Sequence, residues 1–135
     1  MRPAERASLS GMGFEYMRVY QAATLLDTLV LALVQGAARG FSKDIDQLLR
    51  AVGSVLLNIA EAYGSEQPGK KINHLEIARG SVNEARAAMQ RLARRGAFTQ
   101  KEIERPSALT KAIAKMLTSW IAAVKAAEQN APAHK

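Results

Sequence analysis

Residues 42–64 read SKDIDQLLRAVGSVLLNIAEAYG, and the spacing of their apolar side chains decides the fold class. Ile45, Leu48, Leu49, Val52, Val55, Leu56, Ile59 and Tyr63 recur at near-heptad intervals, which gathers them on one face of an α-helix. Ser42 stands where an N-cap is expected, with Asp44 and Asp46 in the electropositive first turn. Gly64 is a natural C′ terminator. Gly53, Leu57 and Ala60 form a flank at i, i+4 and i+7, where small residues let another helix come close.

The same periodicity recurs on both sides of this stretch. A helix is predicted from about Glu15 to Ala38, with Val19, Ala22, Ala23, Leu26, Leu29, Val30 and Leu33 on its core face and Gly40 as its stop. Tyr16, Tyr20, Leu31 and Val34 make a second stripe that one bundle core does not need. A third helix, from about Lys70 to Arg95, carries Ile72, Leu75, Ala78, Val82, Ala85, Met89 and Leu92, and Gly96 ends it. A fourth opens at Thr99 and Glu102 with capping-box spacing. Pro106 should kink that helix or restart it near Ser107. From there Leu109, Ile113, Met116, Leu117, Trp120 and Val124 share a face.

Helices of about 20 residues are about 30 Å long, and short connections between them force antiparallel neighbours. The expected fold is therefore all-α, an antiparallel up-down-up-down four-helix bundle over residues 14–128. Residues 1–13 and 129–135 read as an unstructured lead-in and tail.

Composition agrees. The 135 residues suit one domain, and with 48% apolar but 5% aromatic residues the core must be aliphatic. The chain has no cysteine, which excludes disulfides and thiolate zinc sites and points to the cytoplasm. Arg2 and Arg6 precede the apolar run Leu25 to Val34, in the manner of a signal peptide. That run starts late, contains Asp27 and is too short to span a bilayer, so it reads as a core helix with no membrane role.

The charge is informative. Nineteen Lys and Arg oppose twelve Asp and Glu, a formal charge of +7. Nine of the cations lie between Arg79 and Lys115 (Arg79, Arg86, Arg91, Arg94, Arg95, Lys101, Arg105, Lys111, Lys115) against Glu84, Glu102 and Glu104, which leaves +6 in that stretch. Guanidinium groups bind phosphate oxygens through paired hydrogen bonds. Arg94 and Arg95 also complement the helix macrodipole without any ligand, whereas Lys111 and Lys115, outward on the fourth helix, have no such role. The expected nucleic-acid contacts are Arg79, Arg86, Arg91, Arg94, Arg95, Lys111 and Lys115, with Lys70 and Lys71 at an exposed tip. No aromatic side chains interleave with these cations, so backbone contacts with little sequence preference are expected.

Catalytic chemistry is not visible. Gly64-Ser65-Glu66-Gln67-Pro68-Gly69-Lys70-Lys71 matches a phosphate loop except that Lys71 replaces its hydroxyl residue. A helix precedes it rather than a strand, and Pro68 removes an amide, so it reads as a helix–helix turn. His74 and His134 form no zinc pair, and no Glu-x-x-His pairs mark a di-metal bundle. No catalytic residue, metal site or cofactor is expected. The leftover apolar flanks at Tyr16, Tyr20, Leu31, Val34, Leu57 and Ile77 point to self-association.

Four segments together resemble a known family. Phe14-Glu15-Tyr16-Met17-Arg18-Val19-Tyr20 resembles the opening of bacterial four-helix-bundle proteins encoded in intervening sequences of 23S ribosomal RNA genes. Asn58-Ile59-Ala60-Glu61-Ala62-Tyr63-Gly64 is similar to that family's N-I-A-E-G-Y-G, with Ala62 in place of a glycine. Ile77-Ala78-Arg79-Gly80-Ser81-Val82-Asn83-Glu84 is similar to its I-A-x-G-S-x-x-E. Ser119-Trp120-Ile121-Ala122-Ala123-Val124 also resembles the accessory variability determinant proteins of diversity-generating retroelements, a relative within the same fold. The resemblance spans about Phe14 to Ala127. It implies a homopentameric ring and, on the retroelement branch, a basic barrel that binds RNA or DNA and a reverse transcriptase. On the ribosomal branch it implies no settled activity, and the alternative there is a protein-interaction scaffold. It also suggests that Asn58, Glu61, Gly80 and Glu84 pair across a helix or subunit contact.

Overall fold

The computed structural model of the chain describes residues 13–130. Of the lead-in expected over residues 1–13 and the tail expected over 129–135, residues 1–12 and 131–135 lie outside them, while Gln129 is still helical. Four helices follow one another: α1 Phe14–Gln35, α2 Ser42–Gly64, α3 Pro68–Arg94 and α4 Gln100–Gln129. No strand occurs among the described residues. Each helix packs against its chain neighbours, and α1 closes against α4, so the four form a square bundle whose diagonals scarcely touch. Cross-helix bonds fix the directions. Ser81 meets Ser54 and His74 meets Asn58, so position rises along α3 as it falls along α2.

The core follows the predicted faces. Val19, Ala23, Leu26 and Val30 of α1 meet Leu48, Val52, Val55 and Ile59 of α2. Leu75, Ala78, Val82, Ala85, Met89 and Leu92 of α3 and Ile113, Leu117 and Trp120 of α4 complete it. Phe98, in the α3–α4 connection, is buried as well and plugs the end of the bundle.

The ends of the helices show which local signals count. α4 begins with the capping box read from the sequence: Thr99 Oγ1 accepts from Glu102 N (3.0 Å) and Glu102 Oε1 accepts from Thr99 N (2.8 Å). α3 ends at Gly96, whose φ of +91° lets Ala97 N reach Leu92 O (2.9 Å) and Gly96 N reach Ala93 O (3.1 Å), the paired bonds of a Schellman motif. At α1 the helix stops at Gln35, before the Gly40 expected to end it; Gly40 sits in the following turn with φ +98°.

Three expectations are corrected. Ser42 is already helical, and the N-cap of α2 is Phe41, with no side-chain cap bond. Gly64 does not adopt a left-handed conformation; the chain leaves α2 through extended Ser65. Pro106 neither restarts nor ends α4, which runs unbroken through it. It lies seven residues in, and its ring is buried on the core side. The amide bond it forfeits would have gone to the carbonyl of Glu102, an exposed residue in the first turn of the helix.

Candidate nucleic-acid interface

The basic surface takes its register from one bond. Arg79 Nη1 on α3 donates to Thr118 Oγ1 on α4 (3.1 Å) across the α3/α4 seam. The helices are antiparallel, so seven residues up α3 and seven down α4 bring Arg86 level with Lys111. Arg86 is held by its Nη2 donating to Asn83 Oδ1 (2.8 Å). Lys111 and Lys115 stand exposed on the outer face of α4. Arg79 and Arg86 are two turns apart, about 10.5 Å along the axis, and the two lysines about 6 Å. A strip of this length runs past several phosphates of a strand, which rise about 3.4 Å each along a duplex. Lys115 also lines a cleft of about 280 Å³ between α1 and α4, with Glu15, Arg18 and Ser119 at its rim.

Carboxylates divide the nine predicted contacts. Among the described residues the ion pairs within 4.0 Å are those of Asp44 with Arg91 and Arg95. Asp44 Oδ1 lies 3.6 Å from Arg91 Nε, and its Oδ2 accepts from Arg95 Nη1. Arg95 also lies over the Phe41 ring, 5.3 Å from its centroid. One aspartate in the first turn of α2 thus ties down the C-terminal end of α3 and offsets one of the two arginine charges. Arg79, Arg86, Arg94, Lys111 and Lys115 have no such partner among the described residues.

Lys71 is a correction. It is 7% exposed, and its Nζ donates to Ala62 O (2.6 Å) with Tyr63 O at 3.5 Å. Pro68 opens α3 at its first turn, which returns Lys71 beneath the free carbonyls at the end of α2. A cation there complements the negative end of the helix and does the work expected of a glycine cap. Burial pushes its pKa below the ordinary lysine value. Lys70 alone remains exposed at that tip, and the phosphate-loop likeness of residues 64–71 is a helix–helix turn, as read.

The structure also assembles groups that spacing alone did not connect. Asn58 is buried and bonds Ser54 through Nδ2 (2.9 Å to O, 3.2 Å to Oγ), while its Oδ1 accepts from His74 Nδ1 (3.0 Å). Ser81 Oγ donates to Ser54 Oγ (2.8 Å). His74 is therefore a partner of Asn58 and not a free surface group. Tyr63, expected in the core, is 47% exposed and stacks on Tyr16 at 3.9 Å. Tyr20 and Trp120 flank Tyr16 at 5.4 and 6.4 Å. Burial, then the neighbouring Tyr20 and Tyr63, push the Tyr16 phenol pKa up. The missed signal was Tyr16 in the stripe beside the core, which turns Tyr63 outward to cover it.

Of the predicted contact flanks, Tyr20, Leu31, Leu57 and Ile77 are exposed. Tyr16 and Val34 pack partly against the protomer's own core. Glu61 and Glu84 are exposed, and Gly80 has open space before it. α1 as a whole is long and apolar enough to cross a membrane by length and composition alone; the run Leu25 to Val34, read as too short to do so, is ten of its 22 residues. Among the described residues no group of three His, Asp or Glu side chains is placed to hold a metal ion.

The sequence profile of the 23S rRNA-intervening sequence protein family matches residues 15–119. The fold is similar to the crystal structure of a protein with unknown function from the S23 ribosomal protein family of Bacteroides thetaiotaomicron. That likeness has a TM-score of 0.72 and 24% identity, covering 80% of this chain and 98% of that one. No curated protein matches. Neither the matched family nor the matched structure carries the name of a catalytic activity. The match takes in most of the four-helix bundle, and this chain belongs to the 23S rRNA-intervening sequence protein family.

Proposed function

We propose that the protein is a non-enzymatic, self-assembling basic scaffold of the cytoplasm that holds RNA or DNA by its phosphates. The observation that carries this reading is the α3/α4 strip of Arg79, Arg86, Lys111 and Lys115, which no carboxylate among the described residues neutralises. Cations held on rigid helices, without aromatic side chains between them, favour backbone contacts over base readout. Arg94 extends the strip toward the end of α3. Lys70 adds a charge at the far tip.

The test is charge reversal. Lys111→Glu with Lys115→Glu should weaken binding to a 20-nucleotide duplex and to a single strand of the same sequence by about tenfold or more. Far-UV circular dichroism should not change, because both side chains point to solvent. Arg91→Gln with Arg95→Gln is the comparison and should have a smaller effect, since Asp44 already opposes those charges. Equal losses in the two variants would count against the strip. The likeness to accessory variability determinant proteins extends the reading to a ring of five copies with a reverse transcriptase as partner. Light scattering and co-purification with that enzyme test those two points separately.

A further inference from the structure

The outer face of α4 joins two seams. About 100° of turn per residue sets Lys111 and Thr118 on its α3 side, Ser119 on its α1 side and Lys115 between them. On the α1 side lies the cleft of about 280 Å³, and Lys115 belongs both to that cleft and to the strip of cations. Buried Val19 and half-buried Met116 give the cleft an apolar floor. Arg18, Lys115, Ser119 and Glu15 supply its polar rim.

The rim sets two cations against one acid. Arg18 comes from α1 and Lys115 from α4, and both are exposed. Half-buried Glu15 forms an ion pair with neither of them within 4.0 Å. The Arg18 guanidinium sits over the Phe14 ring, 5.9 Å from its centroid. A guanidinium held by its face keeps its in-plane N–H groups for an anion. The exposed Ser119 hydroxyl can donate beside it. Two cations from different helices and a hydroxyl around one opening suit a phosphate. The floor of Val19 and Met116 suits a flat, weakly polar group attached to it. Glu15 repels a second anionic group and favours a ligand that brings an N–H donor.

We infer that the α1/α4 cleft seats one unpaired nucleotide of the bound strand, its phosphate between Arg18 and Lys115 and its base on Val19 and Met116. The inference rests on the proposed function and deepens it, since it adds one base contact to a row of phosphate contacts. A strand that follows the cations of the α3/α4 strip reaches the cleft at Lys115, and Ser119 stands one turn further, about 6 Å along the axis. Bases in a duplex face one another and cannot reach the floor, so the cleft favours single strands. Its volume of about 280 Å³ lies at the lower edge of the ~300–1,000 Å³ of small-molecule sites, which leaves room for a single base. The Glu15 carboxylate only accepts hydrogen bonds, so it selects bases with an exocyclic amino group. Cytosine offers its N4 donor there, whereas thymine presents the O4 acceptor.

The test reads base preference as well as affinity. Oligo(dC) and oligo(dT) of equal length, and a blunt duplex, are titrated by fluorescence anisotropy. The wild type should bind oligo(dC) about fivefold or more tighter than oligo(dT). Glu15→Gln should abolish that preference by strengthening oligo(dT), because the glutamine amide donates to O4, and a gain of this kind does not come from misfolding. Arg18→Ala should weaken oligo(dC) by about tenfold and the duplex by less than about twofold. Equal wild-type affinity for the two strands overturns the inference, as does an Arg18→Ala loss as large on the duplex as on oligo(dC). Backbone amide shifts of Arg18 and Ser119, followed by NMR with cytidine monophosphate, inorganic phosphate and octanoate, give a second readout. Cytidine monophosphate should move both amides further than phosphate does. Equal shifts would show an anion site only, and a response to octanoate alone would assign the cleft to a carboxylate amphiphile; either overturns the inference. The two readings also separate here. A wild type that binds no strand, yet answers cytidine monophosphate at Arg18 and Ser119, would end the strip reading and keep the nucleotide seat. One that binds strands while both amides stay unmoved would do the reverse.

Discussion

Replacing Lys71 by methionine removes one buried ammonium and leaves a side chain of similar length. In the wild type, Nζ donates to Ala62 O at 2.6 Å and lies 3.5 Å from Tyr63 O, closing the end of a helix that has no left-handed cap. A hydrogen bond from a charged donor contributes about 1.5–3 kcal/mol net. Part of this is offset, because the same burial that depresses the lysine pKa makes the charge costly to hold. A loss of roughly 1.5 kcal/mol is therefore expected, which lowers the melting temperature by about 6 °C for a domain of ~120 residues. The assay is thermal unfolding by circular dichroism at pH 7. The pH dependence has a definite sign. The folded pKa lies below the unfolded value of 10.5, so in the interval between them the unfolded chain holds more protons. The charge-burial cost is borne in full below the folded pKa and is relieved as pH rises to 10.5, so the wild type gains a further increment there on top of the bond's contribution at pH 7. The gap between wild type and Lys71→Met should widen as pH rises across that interval. A methionine variant that melts at or above the wild type, with a gap insensitive to alkaline pH, would refute the capping role.

Other perturbations separate local from global effects. Thr99→Ala should cost about 1 kcal/mol by removing one arm of the capping box that opens α4, read from denaturant midpoints at constant slope. Gly96→Ala should destabilise by about 1–2 kcal/mol, because its φ of +91° is strained for any side chain. Gly80→Ala, with open space before it and a helical backbone, should raise stability by up to about 1 kcal/mol, read from the denaturant midpoint. Asp44→Asn should release Arg91 and Arg95, lowering the melting temperature while tightening binding to duplex at low salt; a loss of binding would show that the two arginines act only through the ion pair.

The fold was legible because its signals are local and repeated. The heptad spacing in 42–64, the Thr99–Glu102 box and Gly96 each specify geometry within a few residues, and the structure follows them. Pro106 was misread because its consequence depends on which side of α4 faces water. Lys71 was misread for a similar reason. Its proximity to Lys70 suggested an exposed basic tip, and only the angle at which α3 leaves the 65–67 turn carries it beneath α2. Tyr63 fits a heptad, yet its neighbour across the helix pair is Tyr16, and two large rings cannot both enter a narrow core. The strip of cations was visible as a charge excess. Its division was not, because Asp44 lies about 50 residues from Arg91 and Arg95 and meets them only once α2 and α3 run antiparallel.

The salt dependence of nucleic-acid affinity tests the central claim most directly. Contact through the four cations at the centre of the strip (Arg79, Arg86, Lys111, Lys115) predicts a slope of log affinity against log salt of about −3.6 on duplex, a fall of about 150-fold between 50 and 200 mM. Lys111→Glu with Lys115→Glu should flatten it to about −1.8 or less, a fall of roughly 12-fold over the same range. A wild-type slope near zero, or one that the double variant leaves unchanged, would contradict the account.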